Sequence, residues 1–282
     1  MENSTLPIVM AIAGNDPTGG AGITADIEAI ISQGCHALPV VTCVTVQDTC
    51  DVSSINPIES ELVVRQARAV LEDLPVDAIK IGLLGSEENV EAVHEILADY
   101  PEIPVVMDPI LSAGGGFELA TDSMIDAMSE LLFPFVHILT PNTHEAMQFI
   151  PGADSVQAAA LGLQELGCTY VLVTGTHHNS EQVINRLFGE QQEIKQYFWD
   201  RLTNVYHGSG CTLSSALAGL IAQQLDILSA MEQAQDYTWR SLKAGYRLGM
   251  GQHHPNRLFW AGSDDDSADD LPDDYVDADA AP

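Results

Sequence analysis

The segment NVYHGSGCTL, residues 204–213, sets Gly208 and Gly210 around Ser209 directly ahead of Cys211 and an apolar run. Leu213, Ala216, Leu217, Leu220 and Ile221 recur at the spacing of one helix face, so Cys211 stands at a helix start. The first N–H groups of a helix lack intrahelical partners, which makes Gly208, Ser209 and Gly210 a candidate anion site. A thiol held there reads either as a small buried hydrophobe or as a reactive group whose pKa the helix terminus lowers.

A second set of polar residues falls where apolar runs stop. Asn15 and Asp16 open the glycine-rich GNDPTGGAG. Gln47 and Asp48 follow a second run, Gly82 a third, Asp108 a fourth, Asn142 and Glu145 a fifth, and Thr174 and Gly175 a sixth. Ligands of open α/β sheets bind beyond the carboxyl ends of the strands, so the recurrence points to one polar edge. Asp108 and Glu145 together suit Mg2+, which takes one or two carboxylates, several waters and substrate phosphates. A magnesium nucleotide fits that edge.

Competing motifs are weak. The chain has no G-x-x-x-x-G-K-[ST], which excludes a P-loop, and Gly20, Gly22 and Ala25 match G-x-G-x-x-A only at several residues' remove from the preceding strand. His207 with Cys211 suggests a nucleophile and base, but no acyl-transfer pattern accompanies them. His253 and His254 read as a solvated helix end rather than a metal site. The three lysines, Lys80, Lys195 and Lys243, stand at no evident phosphate-facing strand end.

The elements that must position these residues alternate. Short Val/Ile/Leu runs at 7–14, 38–46, 77–82, 103–108, 135–140 and 170–175 read as buried strands. Helical patterns at 22–34, 59–74, 86–100, 121–131, 143–150 and 155–166 separate them, and helices at 210–225 and 229–249 close the body. Strand followed by helix, with near-continuous apolar strands, predicts a mostly parallel sheet covered on both faces in one α/β domain, 1–262. Residues 182–200 read as a hairpin turning at Gly189, a small antiparallel edge.

Charge excludes several partner classes. Ten Lys and Arg stand against 41 Asp and Glu, a net charge of −31, which argues against nucleic acid or an anionic membrane. Residues 263–282 hold nine acids and no base, less than a third of the excess, and read as a disordered, solvated acidic tail. The remainder is spread over the body, as in halophilic-type surfaces that stay soluble in strong salt. Five cysteines without a C-x-x-C pair, no leader pattern and no long apolar span fit a reduced, cytoplasmic protein.

The motifs together resemble one family. AIAGNDPTGGAGITADI is similar to the opening AG-x-DPSGGAGI-x-AD of hydroxymethylpyrimidine/phosphomethylpyrimidine kinases, and HGSGCTLSSALA to their H-G-T-G-C-T-x-S-x-A. VVTCVTVQDT, AIKIGLLG, PVVMDPIL, ILTPNTHEA and LVTGTHH follow between them in the family's order. The resemblance implies a ribokinase-like three-layer α/β/α fold. It also implies ATP- and Mg2+-dependent phosphorylation of 4-amino-5-hydroxymethyl-2-methylpyrimidine and of its monophosphate, toward thiamine diphosphate, by a homodimer. It assigns Gln47 to the aminopyrimidine, with Gly14, Asp26, Leu83 and Ile110 around it. Asp108 and Glu145 serve the metal and phosphates, and Asn142, with Thr174 and Gly175, the nucleotide. Gly208, Ser209 and Gly210 form the anion hole, with Cys211 at the transfer point as proton acceptor. The sequence departs from the family at Thr174, where many members carry lysine, and at SAGGG, 112–116. A pyridoxal-type kinase of the same superfamily, and a non-catalytic pyrimidine- or nucleotide-binding protein, are the alternatives.

Overall fold

The computed structural model describes residues 6–175 and 181–262. The tail expected to be disordered, 263–282, lies outside these residues. The first strand, β1 (Ile8–Asn15), is buried along its interior and has no polar side chain before its last residue, as a strand covered on both sides requires. Helix α1 (Gly22–Ser32) returns the chain to β2 (His36–Gln47), and β3 (Val52–Pro57) folds back on β2. Then follow α2 (Ser60–Leu71), β4 (Ala78–Ile81), α3 (Glu87–Asp99), β5 (Val105–Met107), α4 (Asp122–Ala127), β6 (Val136–Leu139), α5 (Thr143–Phe149), α6 (Val156–Glu165) and β7 (Tyr170–Val173). The hairpin β8 (Gln182–Gly189) and β9 (Gln192–Asp200) precedes α7 (Ser209–Ala222) and α8 (Ile227–Lys243).

The strands form one sheet in the order β3-β2-β1-β4-β5-β6-β7-β8-β9. From β2 to β7 every pairing is parallel, so the carboxyl ends of six strands share one edge. Alternation along β1 sorts two cores. Met10 and Ile12 pack with Val63, Val93, Phe149 and Leu163 of α2, α3, α5 and α6, whereas Val9 and Ala11 pack with Ile30, Leu217 and Met231 of α1, α7 and α8. The result is the expected three-layer arrangement.

Several details differ from the sequence expectation. The sheet has antiparallel pairing at both edges, because β3 pairs with β2. Its VSSINP run lacks the apolar density that marks the other strands. The hairpin turns at Glu190 and Gln191, at φ 52° and 57°, rather than at Gly189, which pairs with Gln192 inside the ladder. The helix predicted over 121–131 leaves α geometry at Met128 and continues as a π-helical turn, Met128–Leu132. The last helix stops at Lys243. Tyr246 instead exchanges backbone bonds with His254, so His253 and His254 lie on no helix and His254 is buried.

Candidate active site

The polar residues that end the parallel strands gather at the common edge. Asp16, just past β1, folds the glycine-rich turn onto itself: its carboxylate accepts from the Thr18 and Ala21 backbone N–H groups, each at 2.8 Å, and from the Thr18 hydroxyl. His207 Nε2 lies 2.7 Å from Asp16 Oδ2. Burial alone would raise the Asp16 pKa, but the His207 and Thr18 hydrogen bonds and the His207 charge hold it at about 2. An ionised carboxylate only accepts, so His207 carries its hydrogen on Nε2. Gln47, at the end of β2, places its amide nitrogen 3.2 Å from the same ring nitrogen, a contact between two donors, so its amide is not bonded to the imidazole. The imidazole ties the turn before α7 to the glycine-rich turn and lies against the end of β2.

Helix α7 begins where the HGSGC motif places it. Gly208 is the N-cap, at φ 81°, and a side chain there would collide with the Gly20 carbonyl. A Cβ on Gly210 would stand 3.0 Å from Asp108 Oδ2, so the first turn of α7 and the carboxylate after β5 face each other. Cys211, in that turn, is buried. Its thiol departs from the expected direction. Burial pushes its pKa up to about 12, with Asp108 and Asp26 adding to the rise and Lys80 opposing it, so Cys211 is a thiol and not a thiolate. The helix terminus does not outweigh the loss of solvent.

The cation absent from the sequence reading is Lys80. It lies within β4 on the face toward α1 and α7, wholly buried, and donates to Asp26 Oδ1 at 2.7 Å. Ser215, one turn after Cys211, donates to the same oxygen at 2.7 Å, while Asp26 Oδ2 is buried without a hydrogen-bond partner. Burial opposes the ammonium charge, yet Asp26, Cys211 and Asp108 raise its pKa above the usual value. Lys80 thus stays charged beneath the α7 turn. Its sequence signal was a lysine inside the apolar AIKIG run, which a covered strand tolerates only with a buried anion. Asp26 is that anion, and it has no exposed surface in this conformation.

Asp108 and Glu145 converge as expected. Both are buried, both have raised pKa values because of burial, and Asp108 raises that of Glu145 further. Lys80 and a hydrogen bond from the Cys211 thiol partly relieve Asp108. Glu145 is held by a capping box: Asn142 accepts from the backbone of His144 and Glu145, and Glu145 accepts from the Asn142 N–H at 2.8 Å. Thr174 bridges to Asn142, and Gly175 donates to the Asn185 side chain, so both stand beside the Asn142 turn at the end of β7.

The remaining candidate positions lie toward β2. Gly14 packs against Cys43 Sγ and the Leu83 side chain, and Gln47 faces a cleft roofed by three loops. Thr49 accepts backbone bonds from Gly251 and Gln252 at 3.0 and 2.8 Å, and Gly115 abuts Asp51, which closes these loops over Gln47 and His207. Ile110 is half-buried two residues past Asp108. Lys80 and Arg257 were not legible as site residues. Their roles depend on contacts with Asp26, 54 residues away, and with Gly19, 238 residues away.

Comparison with known proteins agrees with this geometry. The sequence model of a family described as phosphomethylpyrimidine kinase matches residues 16–256. The hydroxymethylpyrimidine/phosphomethylpyrimidine kinase of Mycobacterium bovis is 35% identical over 261 residues, which cover 90% of this chain and 95% of the relative. The Escherichia coli enzyme of the same name is 33% identical over 260 residues, covering 89% and 98%. A thiamine biosynthesis bifunctional protein of Geobacter sulfurreducens is 33% identical, and the chain spans 52% of its length. Among solved structures, a Bacillus subtilis pyridoxal kinase in complex with ADP superposes with a TM-score of 0.84 at 23% identity, covering 91% of this chain and 99% of that one, a likeness of fold. A Clostridium difficile phosphomethylpyrimidine kinase gives 0.72 at 28% identity, covering 83% and 98%. With the matched region running from the Asp16 turn to the segment just before Arg257, the chain belongs to the phosphomethylpyrimidine kinase family.

Proposed function

We propose that the protein transfers the γ-phosphoryl group of ATP to the hydroxymethyl oxygen of 4-amino-5-hydroxymethyl-2-methylpyrimidine, and a second phosphoryl group to the resulting monophosphate. The observation that carries this reading is the meeting of paired buried carboxylates, Asp108 and Glu145, with the N-terminal turn of α7. Phosphoryl transfer needs positioning and charge stabilisation more than covalent chemistry, and these groups supply both.

Two buried carboxylates, with Asp108 raising the pKa of Glu145, fit a divalent cation, which would keep both ionised. Among the described residues no group of three or more His, Cys, Asp or Glu side chains gathers into a cage, so such an ion would complete its shell from water and phosphate. Mg2+, when bound, supplies charge neutralisation on the phosphates. The N–H groups at Ser209 and Gly210 receive the phosphoryl oxygens, and Asn142, Thr174 and Gly175 border the nucleotide. Gln47 binds the aminopyrimidine, in a pocket that includes Gly14, Leu83 and Ile110. Asp26 acts from below through Lys80.

In the transfer, a bond forms from the hydroxymethyl oxygen to the γ-phosphorus, the bond to the β,γ-bridging oxygen breaks, and the hydroxyl proton passes to the Cys211 sulfur. Cys211 must first pass its own hydrogen to solvent, so that the sulfur is a thiolate when the hydroxyl proton arrives. Lys80 and the α7 N–H groups favour the thiolate, against burial and Asp108. Cys211→Ala should lower kcat by about 10²-fold and leave the pyrimidine KM nearly unchanged. Near-normal turnover would reduce Cys211 to a packing residue.

The test of the whole reading is ATP turnover with the pyrimidine alcohol, its monophosphate, pyridoxal or no acceptor. Turnover with both pyrimidines supports it. Turnover with pyridoxal alone overturns it in favour of a pyridoxal-type kinase, and the absence of acceptor-dependent turnover with any of them leaves only a binding role. The same reading makes the protein a cytoplasmic homodimer, which sedimentation of the purified chain checks for assembly.

A further inference from the structure

Beyond the groups that face the reactants, one buried arginine touches both glycine turns of the site. Arg257 follows α8 in a segment that is itself fastened on two sides: His207 N–H donates to the His253 carbonyl at 2.9 Å, and His254 N–H to Tyr246 at 2.8 Å. The Arg257 carbonyl accepts from Ser32 of α1 and Tyr237 of α8, both at 2.9 Å. Its side chain is almost wholly buried. Of its three nitrogens, Nη1 donates to the Gly19 carbonyl at 3.3 Å and to Glu28 at 3.1 Å, and Nη2 donates to the Gly20 carbonyl. Nε donates to the Thr212 hydroxyl at 2.9 Å, and that hydroxyl donates to the Gly208 carbonyl at 2.8 Å.

These contacts make a closed geometry. Gly208 packs directly on the Gly20 carbonyl, so the glycine-rich turn and the α7 N-cap abut. The guanidinium occupies the one place that reaches the carbonyls of one turn and, through Thr212, the carbonyl of the other. A planar fork fixes angles as well as distances, which an ammonium on a flexible stem does not. The backbone bonds to Ser32 and Tyr237 already anchor this segment; the side-chain fork adds the bonds to the two turns and the ion pair with Glu28 of α1.

We propose that Arg257 is a positioning residue that sets the glycine-rich turn, Asp16 to Ala21, against the phosphoryl-binding turn, Gly208 to Cys211. The proposal rests on the assignment of the α7 turn to the transferring phosphoryl group. Its effect should appear in turnover rather than in substrate binding, because a displacement of about 1 Å in a positioning group costs on the order of 10²-fold in rate.

The test measures kcat, KM for the pyrimidine alcohol and thermal midpoint for Arg257→Ala and Arg257→Lys, with Cys211→Ala and Asp108→Asn alongside. Arg257→Ala should lose about 10²-fold in kcat with KM changed less than about threefold, and added guanidinium at millimolar concentration should restore roughly tenfold where sodium chloride does not. Arg257→Lys should also lose turnover, since it restores charge without the fork. If Arg257→Ala does not fold, Arg257→Lys decides alone. Turnover within about twofold of the parent in Arg257→Lys overturns the proposal. So does a loss in Arg257→Ala that guanidinium leaves untouched. Should Cys211→Ala and Asp108→Asn both keep near-normal turnover, the assignment of the α7 turn fails and takes the proposal with it. Loss in those two, with parental turnover in the Arg257 variants, overturns the Arg257 role alone.

Discussion

Asp16 and Asp108 follow strands β1 and β5 at the same sheet edge, are equally buried at 5% exposure, and are driven in opposite directions. Asp16 is surrounded by donors: two backbone N–H groups, a hydroxyl and an imidazole hold it ionised. At Asp108 burial, and after it Asp26, raise the pKa against only Lys80 and the Cys211 thiol. Burial raises both carboxylates, and the number of donors already committed to each decides whether that rise is offset. Asp16 has spent its acceptor capacity on the glycine-rich turn, whereas Asp108 retains capacity for a cation or a proton, which is what the proposed role requires of it.

The largest break in this contrast should come at Asp108. Asp108→Asn is expected to lower turnover by about 10³-fold while the thermal midpoint holds or rises, because removing a strained carboxylate relieves Glu145. Steady-state kinetics beside a melting curve reads both, and a fall in stability parallel to the fall in rate would place Asp108 with Asp16 as a structural group. Next comes the third carboxylate. Lys80→Met strands Asp26 in the core and should cost about 3–5 kcal/mol, with Lys80→Met/Asp26→Leu recovering most of it but not activity. Urea unfolding of the single and double variants tests this, and equal losses in the two would deny the buried pair.

Asp16→Asn should be milder and pH-dependent. The folded pKa of about 2 lies below the ordinary 3.8, so Asp16 stabilises the fold by about 2 kcal/mol above roughly pH 4, and the contribution disappears as pH falls through 2. Unfolding curves of parent and variant should therefore converge in acid and separate toward neutrality; a constant gap would mean that Asp16 acts by packing. The smallest effect belongs to His207→Phe, which replaces the imidazole that lies against Gln47. It should raise the pyrimidine KM by about fivefold with kcat less affected. An unchanged KM would remove the imidazole from substrate orientation.

The strands that carry the site were legible because a sheet covered on both faces demands unbroken apolar runs, and the residues ending those runs then mark its edge. Asp108, Asn142 and Glu145 were found in that way, and the Gly208–Cys211 turn from the helix-face spacing that follows it. β3 was not, since an edge strand with one exposed side needs no such run, as VSSINP shows. The end of α8 was misplaced because the chain leaves the helix at Ala244 and Gly245 to pair Tyr246 with His254.

By itself, then, the sequence determined the layer order, the family and the positions at which polar groups meet the ligand edge, all consequences of local periodicity and short motifs. Only the tertiary structure decided the electrostatics: that Cys211 is a protonated thiol, that Lys80 is a buried cation under it, that His207 bonds Asp16 across 191 residues, and that Arg257 ties the two glycine turns. Helix termini and strand ends are written in neighbouring residues. A pKa or an ion pair depends on solvent exclusion and on partners tens to hundreds of residues away, which become neighbours only when the chain has folded.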